Sequence, residues 1–182
     1  MYRARWIAMG AAALALAACG QKTETTSTTD TSNTAVTENV SIPAMAPGQA
    51  FANAAASSDA FEIASSKLAA AQAQSTAVKK FAAAMITAHT ESTAKLKTAA
   101  GTVTPDPTLS PEQQQTLDTL TPLKGADFDK AYAAAQVDAH QKTLDALKDY
   151  SANGDVPALK DFATTLIPTV TAHLNMAKGL KP

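Results

Sequence analysis

Val78, Ala82, Met85, His89, Ser92, Leu96 and Ala99 follow one another at alternating steps of four and three. Such steps draw one line along the face of a helix, and a line of small and apolar side chains has to be covered by another helix. Two later stretches repeat the pattern. One carries Ala133, Val137, His140, Leu144 and Leu147, the other Leu159, Ala163, Leu166, Val170, His173, Ala177 and Leu180. Alanine is the commonest residue, and runs of alternating β-branched residues are missing. The folded body therefore reads as all helix.

Helix boundaries follow from the punctuation. The first helix is expected over about Gln49 to Ala73, with Phe51, Phe61, Ala64 and Leu68 toward the core. Its Ser57-Ser58-Asp59 stretch is a weak point that could break it. The second runs from about Thr76 to Ala99, where Gly101 ends it and Pro105 and Pro107 keep it from resuming. Ser110-Pro111-Glu112-Gln113 then opens a short helix: Ser110 suits the N-cap, Pro111 the first turn and Gln113 the reciprocal capping position. It ends near Thr121-Pro122. A long helix covers about Asp127 to Ser151, Asn153-Gly154 makes a turn, and Asp155 and Pro157 start the last helix, which Pro168 should kink.

Loop lengths then choose the topology. The first two long helices are joined tightly, as are the last two, so each pair should form an antiparallel hairpin. The segment of about 25 residues between the pairs is long enough to cross the whole bundle, which is the ferritin-like arrangement of four helices rather than simple up-and-down packing.

The N-terminal end has a different character. Arg3 and Arg5 precede an uncharged apolar stretch from Trp6 to Ala18. That stretch is shorter than the roughly 20 residues a membrane-spanning helix needs, and it has the form of a secretory signal peptide over residues 1–18. Leu16-Ala17-Ala18-Cys19 resembles the bacterial lipobox, in which the cysteine carries the lipid. Cys19 is the single cysteine, so its thiol serves as an attachment point and not as half of a disulfide. Two or three acyl chains at Cys19 would anchor the chain firmly to a membrane. Gly20 after the cysteine favours the periplasmic face of the outer membrane. Residues 19–48, rich in Thr, Ser and Asn, bury too little apolar surface to fold and are expected to be a disordered tether. The body is then residues 49–182, one domain.

Composition narrows the function. Once Arg3 and Arg5 leave with the leader, the remaining basic side chains face 16 acidic ones, a net charge of about −3. No cluster of Lys and Arg offers a nucleic-acid surface. The body has no glycine-rich phosphate loop, no Gly-x-Ser-x-Gly elbow and no cysteine nucleophile. These absences favour a binding module over an enzyme.

One chemical feature stands out. The three histidines, His89, His140 and His173, all fall on the apolar lines, each on a different helix. Glu62, His89 and His140 lie near the middle of their helices, with His173 offset by about one turn. Imidazole is the commonest side-chain ligand for transition metals, and the middle of a helical bundle is where such scaffolds hold them. Met85 precedes His89 by four residues and Met176 follows His173 by three; thioethers beside imidazoles would favour copper(I). The expected site is one transition-metal ion on His89, His140 and His173, completed by Glu62, Met85 or Met176. Isolated core histidines and space-filling methionines are the alternative. Ile86, Val137 and Val170 stand three before the histidines, so the Glu-x-x-His motif of di-iron carboxylate bundles is absent. Glu62 also reads as lying at the edge of its line. Two functions stay open: an envelope module acting through its helical surface, and a metal-binding protein of metal handling or oxidant stress.

Phe61-Glu62-Ile63, Val78-Lys79-Lys80-Phe81-Ala82, Met85 with His89, Gly125-Ala126-Asp127-Phe128-Asp129 with Tyr132, and His173-Leu174 together resemble the family called domain of unknown function 4142. The resemblance covers roughly residues 49–180. It implies a ferritin-like fold and a place in the bacterial envelope, and assigns no activity. In that family the position before the second-helix histidine is often Asp; here it is Ala88.

Overall fold

The computed structural model describes residues 45–181. The expected leader, Cys19 and nearly all of the tether lie outside that range. Among the described residues the secondary structure is helical: α1 (Pro47–Gln72), α2 (Thr76–Ala100), α3 (Pro111–Leu120), α4 (Gly125–Asn153) and α5 (Pro157–Lys178). Pro47, expected to close the tether, instead opens α1 at its first turn, where a missing N–H costs nothing.

Helices α1 and α2 pack along each other, as do α4 and α5; α1 also lies against α4, and α2 against α5. The four long helices thus form a ring in the order α1, α2, α5, α4. The end of α1 adjoins the start of α4, since Ala73 pairs with Gly125 and Asp129 accepts hydrogen bonds from Gln74 N (3.2 Å) and Ser75 N (2.7 Å). At the opposite end Gln49 reaches Thr104 O, just past α2. The crossover from Gly101 to Lys124 therefore runs the length of the bundle, with α3 seated against α1 and α4. This is the two-hairpin, single-crossover architecture of a ferritin-like bundle.

Local chemistry explains the ends. Gly101 takes φ 60°, a left-handed turn that suits glycine at the stop of α2. Ser110 and Gln113 form the reciprocal capping box: Gln113 N donates to Ser110 Oγ (3.2 Å) and Ser110 N donates to Gln113 Oε1 (2.8 Å). α5 differs from expectation at its start. Asp155 does not cap it; Val156 occupies that position, and Asp155 Oδ1 accepts from the Tyr150 hydroxyl at 2.9 Å. A Cβ at Gly154 would stand 2.6 Å from the Tyr150 ring, so glycine is required for that close approach. α5 continues through Pro168, which leaves the Thr164 carbonyl without its helical donor.

The core has three layers. At one end Phe51, Leu96, Leu147, Tyr150, Leu159 and Phe162 pack together, with Phe51 stacked on Tyr150 at 4.0 Å. At the other, Val78, Phe81, Met85, Leu120, Phe128 and Tyr132 do so. Between them each helix turns polar side chains inward. The expected core face of α1 is corrected in part: Phe51 and Phe61 are buried as expected. Ala64 and Leu68 are only half-buried, whereas Ala52, Ala56, Asp59, Glu62, Ser66 and Ala69 form the buried line. Beside the two phenylalanines the core face carries alanine and serine, where Ala64 and Leu68 were expected. Ser57-Ser58-Asp59 does not break the helix; Ser58 bonds Thr143 of α4 at 2.9 Å and Asp59 faces the core.

Candidate metal centre

The middle layer gathers His89 from α2, His140 from α4 and His173 from α5, all buried. Their ring centroids form a nearly equilateral triangle with sides of 5.6, 5.8 and 5.6 Å. One ligand nitrogen from each lies within 4.8 Å of the other two. A zinc-like ion bound at about 2.0–2.1 Å would hold three nitrogens about 3.3 Å apart, a modest contraction of this triangle. His173, expected one turn away, is level with the other two.

Two of the rings are fixed, each by a different device. His89 Nδ1 is 2.8 Å from Asp59 Oδ1, a carboxylate supplied by α1. Thr93 Oγ1 stands 3.1 Å from the second Asp59 oxygen and 2.9 Å from His89 O. His140 Nδ1 donates to the Gln136 carbonyl one turn earlier, at 2.8 Å. That acceptor places the proton on Nδ1 and leaves Nε2 with its lone pair. Metal-binding histidines characteristically donate one ring N–H to a carboxylate or a backbone carbonyl, which orients the other nitrogen. In keeping with this, His89 Nε2, His140 Nε2 and His173 Nδ1 are buried without a hydrogen-bond partner, one nitrogen per ring.

Glu62 stands beside the triangle. It is 1 % exposed, at the centre of its buried face and not at the edge. Its Oε1 is 3.6 Å from His140 Nδ1, beyond hydrogen-bond range, and neither oxygen has a partner. The neighbouring Gln136 amide donates to Ser65 Oγ at 3.2 Å and influences the carboxylate only as a nearby dipole. Burial pushes the Glu62 carboxyl up to about 7, against the opposing pull of His89 and Gln136. Burial also draws His140 down to about 4, reinforced by the neighbouring imidazoles despite the Gln136 hydrogen bond. His173 falls to about 4 for the same reasons, burial first and His89 second. Burial lowers His89 as well, but its Asp59 hydrogen bond and the charges of Glu62 and Asp59 outweigh it, so the net shift is upward. Near neutral pH the metal-free layer thus holds two neutral imidazoles beside one that favours its proton.

The remaining expected ligands separate. Met85 is fully buried one turn before His89, in the apolar cluster with Phe81 and Tyr132. Met176 is 46 % exposed and belongs to the outer side of α5. Asp59, Gln136 and Thr93, which orient the rings, had escaped the sequence reading. Asp59 could have been found from Ala52 and Ala56, seven and three residues earlier, had the small residues been used to set the phase of α1.

Residues 27–180 match the family described as domain of unknown function (DUF4142). The chain belongs to that family. No curated protein and no solved structure matches it. Where the resemblance led one to look for Asp at position 88, next to His89, the carboxylate on His89 comes instead from Asp59, across the α1–α2 contact.

Proposed function

We propose that this member of the DUF4142 family is a lipid-anchored metal-binding module of the bacterial envelope, holding one first-row transition-metal ion on His89, His140 and His173. The observation that carries the reading is a set of three buried ring nitrogens without a hydrogen-bond partner, one per histidine, on rings that can each bring a ligand nitrogen within 4.8 Å of the other two. A buried polar atom left unpaired costs about 1–3 kcal/mol, and a whole domain is stable by only about 5–15 kcal/mol. Three such nitrogens and an unpaired carboxylate are a heavy burden for a merely structural layer; coordination removes it. An all-nitrogen set suits zinc and copper(II). The exposure of Met176 takes away one of the thioethers that argued for copper(I).

The Leu16-Ala17-Ala18-Cys19 lipobox supports the anchor, and Gly20 the outer membrane's periplasmic face. Replacement Cys19→Ser is expected to abolish palmitate incorporation; equal labelling of the variant would refute the anchor.

Calorimetric titration of residues 45–182 with zinc and copper(II), without a histidine tag, tests the site. One ion per chain is expected, with His140→Ala weakening binding by about 10²-fold or more and Lys148→Ala leaving it unchanged. Binding that His140→Ala leaves intact, or no binding, would return the protein to the alternative reading, a module acting through its helical surface.

A further inference from the structure

Three protein nitrogens leave a tetrahedral ion one position short, and metal sites that do chemistry or exchange ligands keep such a position open where structural sites close it. A cavity of about 40 Å³ leads to this triangle from one side. His89 and His173 form its floor, and Ala88, Ser92, Thr143 and Thr169 are among its walls. Thr169 is exposed and Ala88 half-buried, so the cavity opens to solvent between α2 and α5. His140 lies on the far side and does not line it. The space suits a few waters or a molecule of a few atoms, one water needing roughly 10–15 Å³ of such volume.

We infer that the cavity is a binding site for a small monoanion or water on the fourth position of the metal. This inference rests on the three-histidine reading and adds the ligand class. Charge and chemistry both favour an anion. The three ring nitrogens bring no negative charge to a divalent ion; Glu62 stands behind His140, and the Asp59 carboxylate, which also lines the cavity, is engaged with His89 and Thr93. The bound ion therefore keeps a net positive charge toward the cavity. Ser92 and Thr169, among the lining residues, carry hydroxyls able to donate hydrogen bonds, while the Thr143 hydroxyl is engaged with Ser58. The exchange is simple substitution: the anion's donor atom forms a bond to the metal, one metal-bound water leaves, and no electron is transferred.

Ala88 gives the inference a test independent of the ligands. It is half-buried on α2, lines the cavity and touches none of the hydrogen bonds that orient the histidines. The probes are cobalt(II), whose visible ligand-field bands report coordination, and sodium azide. Cobalt(II)-loaded protein should show bands that shift on azide addition and saturate at one azide per ion. The phenyl ring would occupy the cavity, so Ala88→Phe should weaken azide by about tenfold or more while cobalt binding is retained. Stoichiometric cobalt with bands indifferent to azide would overturn the open position and leave the three-histidine site standing. Azide binding that Ala88→Phe leaves unchanged would overturn this cavity as the route. Failure of cobalt itself to bind would remove the underlying reading, and the inference with it.

Discussion

The apolar end of the bundle and its polar middle are built from the same four helices and obey opposite rules. At the end, Phe51, Leu147, Tyr150, Leu159 and Phe162 bury carbon against carbon, and the one hydroxyl among them, on Tyr150, is bonded to Asp155. In the middle, Glu62, His89, His140 and His173 are as deeply buried, yet each keeps at least one polar atom unpaired. The first region stabilises the fold. The second costs it stability, and that cost is what a bound cation would offset.

The comparison can be broken most sharply at the apolar end. Leu159 is fully buried, and truncating such a leucine costs about 2–5 kcal/mol. Leu159→Ala should therefore lower stability to urea by about 3 kcal/mol, with or without metal. A loss under about 0.5 kcal/mol would show that this end is not the stabilising one.

Acid should strike the middle layer next. His140 and His173 titrate near 4 in the folded, metal-free protein against an ordinary value of 6.5, so the unfolded chain takes up protons first. Their contribution is whole above about 6.5 and drains away as pH falls toward 4, with His173, nearer the surface, giving the less. Glu62 opposes it: raised from 4.5 to about 7, it favours the folded state more as pH falls through that range. His89, raised above 6.5, makes its whole contribution already below 6.5 and adds nothing further here. The net expectation is a metal-free protein about 1–3 kcal/mol less stable at pH 4 than at 6.5. Urea midpoints across that range measure it, and a flat profile would mean the histidines are not buried neutral.

The smallest effect is the most diagnostic, because its sign reverses. Glu62→Leu removes an unpaired buried carboxylate and puts carbon in its place, an exchange that is often neutral or favourable. The metal-free variant should gain about 1–2 kcal/mol, where Leu159→Ala loses. A destabilised variant would mean that Glu62 has a stabilising partner after all.

How much of this the sequence disclosed depended on side-chain size. On α2, α4 and α5 the lines carry Met85, Leu96, Leu144, Leu147 and Leu159, large enough to reveal which face is inside, and the three histidines fell into place with them. On α1 the inner face is Ala52, Ala56, Ser66 and Ala69, whose small side chains mark a close helix contact but give little hydrophobic contrast. The phase slipped there, and Asp59 was lost with it. The crossover and the α3 cap were legible because proline, glycine and the Ser110–Gln113 pair act through local backbone geometry. The level placement of His173 and the separation of Met176 from the cluster depend on how α5 is set against α2 and α4, which spacing along one helix does not fix.

X-ray absorption by the zinc-loaded body, residues 45–182, addresses the metal centre itself. Three imidazole nitrogens at about 2.0–2.1 Å with one further light atom are expected, and His140→Ala should remove one imidazole from the pattern. A shell of oxygens without the imidazole signature, or a sulfur scatterer, would contradict a three-histidine site.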